Sequence, residues 1–170
     1  MGDARTAARF AAVYAALWAA HDLGDHVVQT DHQAAGKSGR EGWAGPMAGH
    51  VGTYIAVQAA GLTALQVLVG VRMSPARLLA GLAWSAGTHA LLDRRWPVVA
   101  LLDATGSRGF ARPQVQVTGS AVPSALRGRD PIVEAGGPLP LPGPYLADQS
   151  LHHGAVFVAA LIIAGRRGRG

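Results

Sequence analysis

The chain has 170 residues, enough for one domain with a real core, and 49% of them are hydrophobic against 15% charged, a balance displaced from soluble averages toward the membrane. It has no cysteine, which excludes disulfides, thiolate zinc and iron–sulfur clusters and leaves imidazole and carboxylate as the strong ligands. The net charge of +5 rests on fourteen arginines and a single lysine, but no basic stripe interleaves with aromatics, so anionic lipid headgroups suit it and a nucleic-acid groove is not expected.

Much of the hydrophobic fraction is alanine, so the membrane reading has to rest on segments. An apolar stretch over 4–28 comes first. Arg5 and Arg9 ahead of a run ending in Ala19-Ala20 have the form of a signal peptide, but the continuation His21-Asp22-Leu23-Gly24-Asp25 reads better as the same helix reaching an interface. Residues 29–46 form a polar loop. The stretch 47–71 holds no Asp, Glu, Lys or Arg before its end, and a tight turn with Pro75 opens a third stretch, 76–95. There Gly81, Ser85 and Gly87 offer close helix contact. Trp96-Pro97 interrupts that helix before a short apolar piece at 98–102. Residues 107–144 carry seven of the ten prolines and many glycines, and read as a long loop without chemistry. The fourth stretch is 145–165. At ~1.5 Å per residue, 17–25 residues cross a ~30 Å hydrocarbon layer. The sequence therefore predicts an all-α fold, a four-helix transmembrane bundle with a short extra helix after the third span and a long Pro/Gly-rich loop.

Ionisable residues inside such spans cost several kcal/mol unless paired or solvated, so their spacing carries information. His21 and Asp25 are four apart, as are His89 and Asp93, and Asp148 and His152; each pair shares a helical face. Gln29 continues the first face, and His50 opens the second helix with Tyr54 one turn on. In an up-down-up-down bundle the ends of helices one and three meet the starts of helices two and four, which gathers all seven residues on one side. Imidazole and carboxylate without thiolate suit zinc, manganese or iron, as one ion or two, with surplus carboxylates orienting the histidines. A metal with an open position activates water, so hydrolysis is the natural chemistry. The plainer alternative is that His–Asp pairs one turn apart only satisfy each other and lock the helices. A proton or divalent-cation path would need the polar residues to continue through the bundle, where the second helix offers Gln58, Thr63 and Gln66. Gly36-Lys37-Ser38 resembles the end of a phosphate-binding loop, but Asp31 stands where its first glycine belongs and no strand precedes it.

The string His21-x-x-Gly24-Asp25-x-x-x-Gln29-Thr30-Asp31, followed by Lys37, His50 and Tyr54, then His89-x-x-x-Asp93 and Asp148-Gln149-x-x-His152, resembles the bacterial membrane family designated domain of unknown function 3307. The resemblance covers about residues 20–155 and implies a multi-helix membrane protein without supplying an activity; the 107–144 segment departs from it. More distantly, the arrangement is similar to inner-membrane proteins proposed to be metal-dependent hydrolases. That analogy implies a multi-pass protein of the bacterial inner membrane acting on a phosphoester or lipid-linked substrate beside the bilayer. Metal ligands would come from His21, Asp25, His50, His89, Asp93, Asp148 and His152, and bases from Asp25, Asp93 and Asp148. Gln29 and Gln149 would orient water or substrate, and Arg94 and Arg95 would hold a phosphate. Arginines near the helix ends favour cytoplasmic termini and a site on the outer face.

Overall fold

A computed structural model describes residues 2–107 and 143–165, and all regular structure among them is helical. The elements are α1 (Gly2–Leu23), a π turn (Gly24–Val28), α2 (Asp31–Gly36), α3 (Ala44–Leu68), α4 (Pro75–Leu92), α5 (Trp96–Ala104) and α6 (Gly143–Ala164). The apolar stretches expected at 47–71, 76–95 and 145–165 correspond to α3, α4 and α6, and the short apolar piece after Trp96-Pro97 is α5. The first runs through α1 and on into the π turn. The stretch 29–46 is not wholly loop. A Thr30/Gln33 capping box starts α2: Gln33 N donates to Thr30 Oγ1 at 3.3 Å, and Thr30 N to Gln33 Oε1 at 3.0 Å. Most of the expected 107–144 loop lies outside the described residues.

Local chemistry fixes the helix ends that matter. Gly70 adopts φ 76°, and the amides of Val69 and Val71 return to the Leu65 carbonyl, which closes α3. Pro75 opens α4 with its fixed φ. Asp93 caps the other end through its N–H to His89 O, and Arg95 at φ 62° then turns the chain into α5, where Pro97 sits in the first turn.

The four long helices pack in a ring, α1 against α3 and α6, and α4 against α3 and α6. Each turns one stripe inward: Val13, Leu17 and His21 from α1, continued by Asp25; Met47, His50, Tyr54, Gln58 and Leu62 from α3; Gly81, Ser85 and His89 from α4; Gln149, His152, Val156 and Ile163 from α6. Along every stripe the polar residues occupy one end, and Val13, Leu17, Leu62, Val156, Ala159, Ala160 and Ile163 form an apolar core at the other. Successive helices therefore run in opposite directions.

The closest approach joins α4 to α6. A Cβ on Gly81 would fall 2.7 Å from Ile163 Cδ1 and 3.1 Å from the Ala159 carbonyl oxygen. Gly87 does not share this role, contrary to the sequence expectation. It follows Ser85 by two residues, about 200° round the helix, and is exposed with nothing within 4 Å of its Cβ position. Gly81→Ala is expected to lower stability by about 1–3 kcal/mol through overpacking. Gly87→Ala should be neutral or gain up to ~1 kcal/mol of helix propensity. Thermal unfolding in detergent compares them, and equal effects would contradict this packing.

By length and composition α3 and α6 are long enough and apolar enough to cross a membrane. In an apolar 18-residue window, only 17% of the residues of α3 and 33% of those of α6 are buried inside the protein. Both leave a large apolar surface uncovered.

Candidate metal centre

The polar end of the ring holds a compact group of four donors. Asp25 comes from the π turn, His50 from the first turns of α3, and His89 and Asp93 from the last turn and cap of α4; all are buried. His50 Nε2 lies 2.8 Å from His89 Nε2, 3.2 Å from Asp25 Oδ1 and 3.2 Å from Asp93 Oδ2. His89 Nε2 lies 3.3 Å from Asp93 Oδ2 and 3.8 Å from Asp25 Oδ1. Two imidazole nitrogens at 2.8 Å need one proton or one cation between them, because two lone pairs repel and so do two N–H groups. Asp93 Oδ2, although close to several donors, makes no aligned hydrogen bond, and the Nδ1 atoms of His50 and His89 are also buried without one.

Lys37 adds a cation that sequence reasoning assigned no role beyond the resemblance. Its Nζ donates to Asp25 Oδ1 at 3.1 Å, lies 3.0 Å from Asp93 Oδ2 and 3.1 Å from His50 Nε2, and is buried. Its position is built locally. The capping box forms α2, Lys37 caps that helix, and Gly36 packs so closely on the Pro46 ring that a Cβ there would come within 2.6 Å of it. Arg94 Nη1 donates to the Lys37 carbonyl at 3.0 Å while its guanidinium sits 4.2 Å over the Trp43 ring. Arg94 thus clamps the loop that carries Lys37, and Arg95 is exposed at the start of α5; neither side chain is placed among the four donors. The available signal for Lys37 was its being the only lysine in a chain of fourteen arginines.

Behind the four donors runs a one-way hydrogen-bond chain. Gln149 Oε1 only accepts, so His21 Nε2 donates to it at 3.2 Å, and the neutral ring then accepts at Nδ1 from the Tyr54 hydroxyl at 3.2 Å. Gln58 Nε2 donates to Tyr54 Oη at 2.7 Å, with Ser85 Oγ at 3.3 Å. At the other end Gln149 Nε2 donates to Asp25 Oδ2 at 3.4 Å, leaving Oδ1 for the four-donor group. His21 and Asp25, expected on one helical face, are linked through Gln149; His21 belongs to α1 while Asp25 lies in the π turn that follows it. His21 has both nitrogens committed and stands outside the four donors. Tyr54 also stacks on His89 with ring centroids 3.8 Å apart, fixing that imidazole's plane. Gly24 permits this fit: a Cβ there would lie 3.1 Å from Tyr54 Cδ2.

His152 stands beside the group. Its Nδ1 donates to the Asp148 carbonyl at 3.0 Å and lies 3.5 Å from Asp148 Oδ2, so in the neutral ring Nε2 carries the lone pair. Nε2 is buried, has no hydrogen-bond partner and lies 3.9 Å from Asp93 Oδ1. Asp148 is only partly buried and orients His152 from outside; Gln29 follows the π turn with its Oε1 buried and unpartnered. Asp22 and His153 pair at 3.2 Å, with the Trp18 indole donating to Asp22 at 3.1 Å and stacking on His153. With His21 they form a second group of three potential ligands. The polar interior ends at Gln58: Thr63 and Gln66 face outward, and Leu17, Leu62 and Val13 close the bundle beyond it.

The Asp25, His50, His89 and Asp93 group could hold a metal ion. The chain matches no family model, no curated protein and no solved structure.

Proposed function

We propose that the chain is a multi-pass protein of the bacterial inner membrane, a four-span bundle holding zinc, manganese or iron, and that it hydrolyses a phosphoester or lipid-linked substrate at the lipid–water interface. One observation carries the metal: Asp25 Oδ1, His50 Nε2, His89 Nε2 and Asp93 Oδ2 stand 2.8–3.8 Å apart across their measured pairs. Four ligands placed tetrahedrally at ~2.0–2.1 Å from one zinc lie roughly 3.3 Å from one another. The membrane is supported by α3, which is long, uncharged and little covered by protein, with Thr63 and Gln66 its outward polar residues in the second half. Exposed Trp43, Trp96 and Tyr145 at the metal end suit an interfacial belt. The resemblance to domain of unknown function 3307 and to proposed metal-dependent hydrolases points the same way. A polar interior that stops at Gln58 disfavours transport.

A divalent ion in this group would supply Lewis acidity and an activated water. The chain's own residues would do the rest. Gln149 and His21 hold Asp25 in place, and Tyr54 holds His89. His152 Nε2, unpaired beside Asp93, is positioned to take a proton from attacking water. Lys37, displaced by the ion from between the carboxylates, would turn toward an anionic substrate.

Lys37 also favours a second reading. Its ammonium already touches both carboxylates, so the cluster would serve as a metal-free ion network locking the helices, and the protein would be a scaffold. Hydrolysis of a chromogenic phosphodiester by the detergent-purified chain distinguishes the two. The metalloenzyme is expected to lose its rate on chelation and regain it with zinc or manganese. A protein with stoichiometric metal and no hydrolysis of phosphodiester, monoester or lipid phosphate would overturn the hydrolase, and a protein without metal would leave the scaffold.

A further inference from the structure

At the opposite end of the ring lies a cavity of about 380 Å³ lined by Arg9, Arg72, Ser74, Arg77, Met73 and Ile163 among others, with no acidic residue in its lining among the described residues. That volume falls within the ~300–1,000 Å³ typical of ligand pockets. Two of the guanidiniums help to hold the fold together, since Arg9 Nε donates to the Ala164 carbonyl and Arg77 Nη1 to the Ile162 carbonyl, both at 3.1 Å, capping the C-terminus of α6. Capping alone does not explain the third. Arg72 lies in the link between α3 and α4, exposed, with no ion pair or hydrogen bond among the described residues, and it adds a third positive charge to a cavity that already holds two. The link begins beside an uncovered apolar surface: Val67, Leu68 and Val69 are 72%, 81% and 67% exposed. Guanidinium forks match phosphate oxygens bidentately, and three of them line this one cavity.

We propose that this pocket binds a phosphate group, supplied by the headgroup of an anionic lipid whose chains lie along the apolar end of α3. The site is separate from the metal centre; only the choice of lipid over free phosphate rests on the membrane reading. If the termini are cytoplasmic, the pocket faces the leaflet rich in anionic lipid.

Native mass spectrometry of the full chain in detergent, with phosphatidylglycerol against phosphatidylcholine, tests it. Wild type is expected to retain phosphatidylglycerol, and Arg72→Gln to weaken that retention about tenfold, the worth of one charge-assisted hydrogen bond. Arg72→Lys should fall between them. Arg72 carries no packing role, so circular dichroism of both variants should match wild type. Equal retention of phosphatidylglycerol by wild type and Arg72→Gln would overturn the site. Binding of inorganic phosphate lost in Arg72→Gln, with no preference between the lipids, would overturn the lipid as its source. Extraction of the protein from cells without detergent would instead defeat the membrane reading itself.

Discussion

Lys37→Met is expected to unfold far more readily than wild type when metal-free, by about 3–5 kcal/mol, and to recover most of that loss when zinc is added. Asp25 and Asp93 keep only 6% and 5% of their surface, and their facing oxygens lie within 4.8 Å of one another. Removing the ammonium 3.0–3.1 Å from both leaves two like charges buried together. A divalent ion between the same oxygens supplies the missing charge and, at a hundredfold excess over its Kd, contributes about 2.7 kcal/mol by mass action. Thermal unfolding with chelator and with zinc reads both steps. Destabilisation that zinc leaves unchanged would assign the carboxylates to Lys37 alone and favour the scaffold.

His152→Ala is expected to lower hydrolysis by about 10²–10⁴-fold while leaving metal content unchanged. The Asp148 carbonyl accepts a hydrogen bond from Nδ1–H, so in the neutral ring the lone pair is on the buried, unpartnered Nε2, and that atom lies outside the four-donor group. The limb of the pH–rate profile that reports the base should disappear with it. Asp148→Asn should act more weakly, because the backbone carbonyl still fixes the tautomer. Loss of metal together with activity would make His152 a ligand rather than a base.

Spacing and direction made the outline of this site legible. The three i, i+4 pairs and His50 are enough, once the helices alternate in direction, to bring imidazoles and carboxylates to one end, and His50, His89, Asp25 and Asp93 do meet there. Spacing does not give the rotation of each helix about its axis, and that decides which members of a pair point inward. His21 meets Tyr54 and Gln149, while Asp25 lies in a π turn, whose change of register 3.6-residue counting cannot foresee. His152 bonds the carbonyl of Asp148 more closely than its carboxylate. Lys37 reaches the centre only because Thr30 and Gln33 form a capping box within a stretch whose polarity reads as loop; the motif was visible, but its consequence depends on Pro46 and Arg94 packing against it. Arg94 was expected at a phosphate and instead spans Trp43 and the Lys37 carbonyl, a contact between residues more than fifty positions apart that no local pattern encodes.

Elemental analysis of the detergent-purified chain, wild type beside a His50→Ala, His89→Ala double variant, tests the metal centre most directly. One equivalent of zinc, manganese or iron in wild type, and none in a variant that still folds as a helical protein, is the result predicted by four donors within 4.8 Å of one another. Metal in neither protein would contradict it and leave Lys37 as the cation that holds Asp25 and Asp93 together.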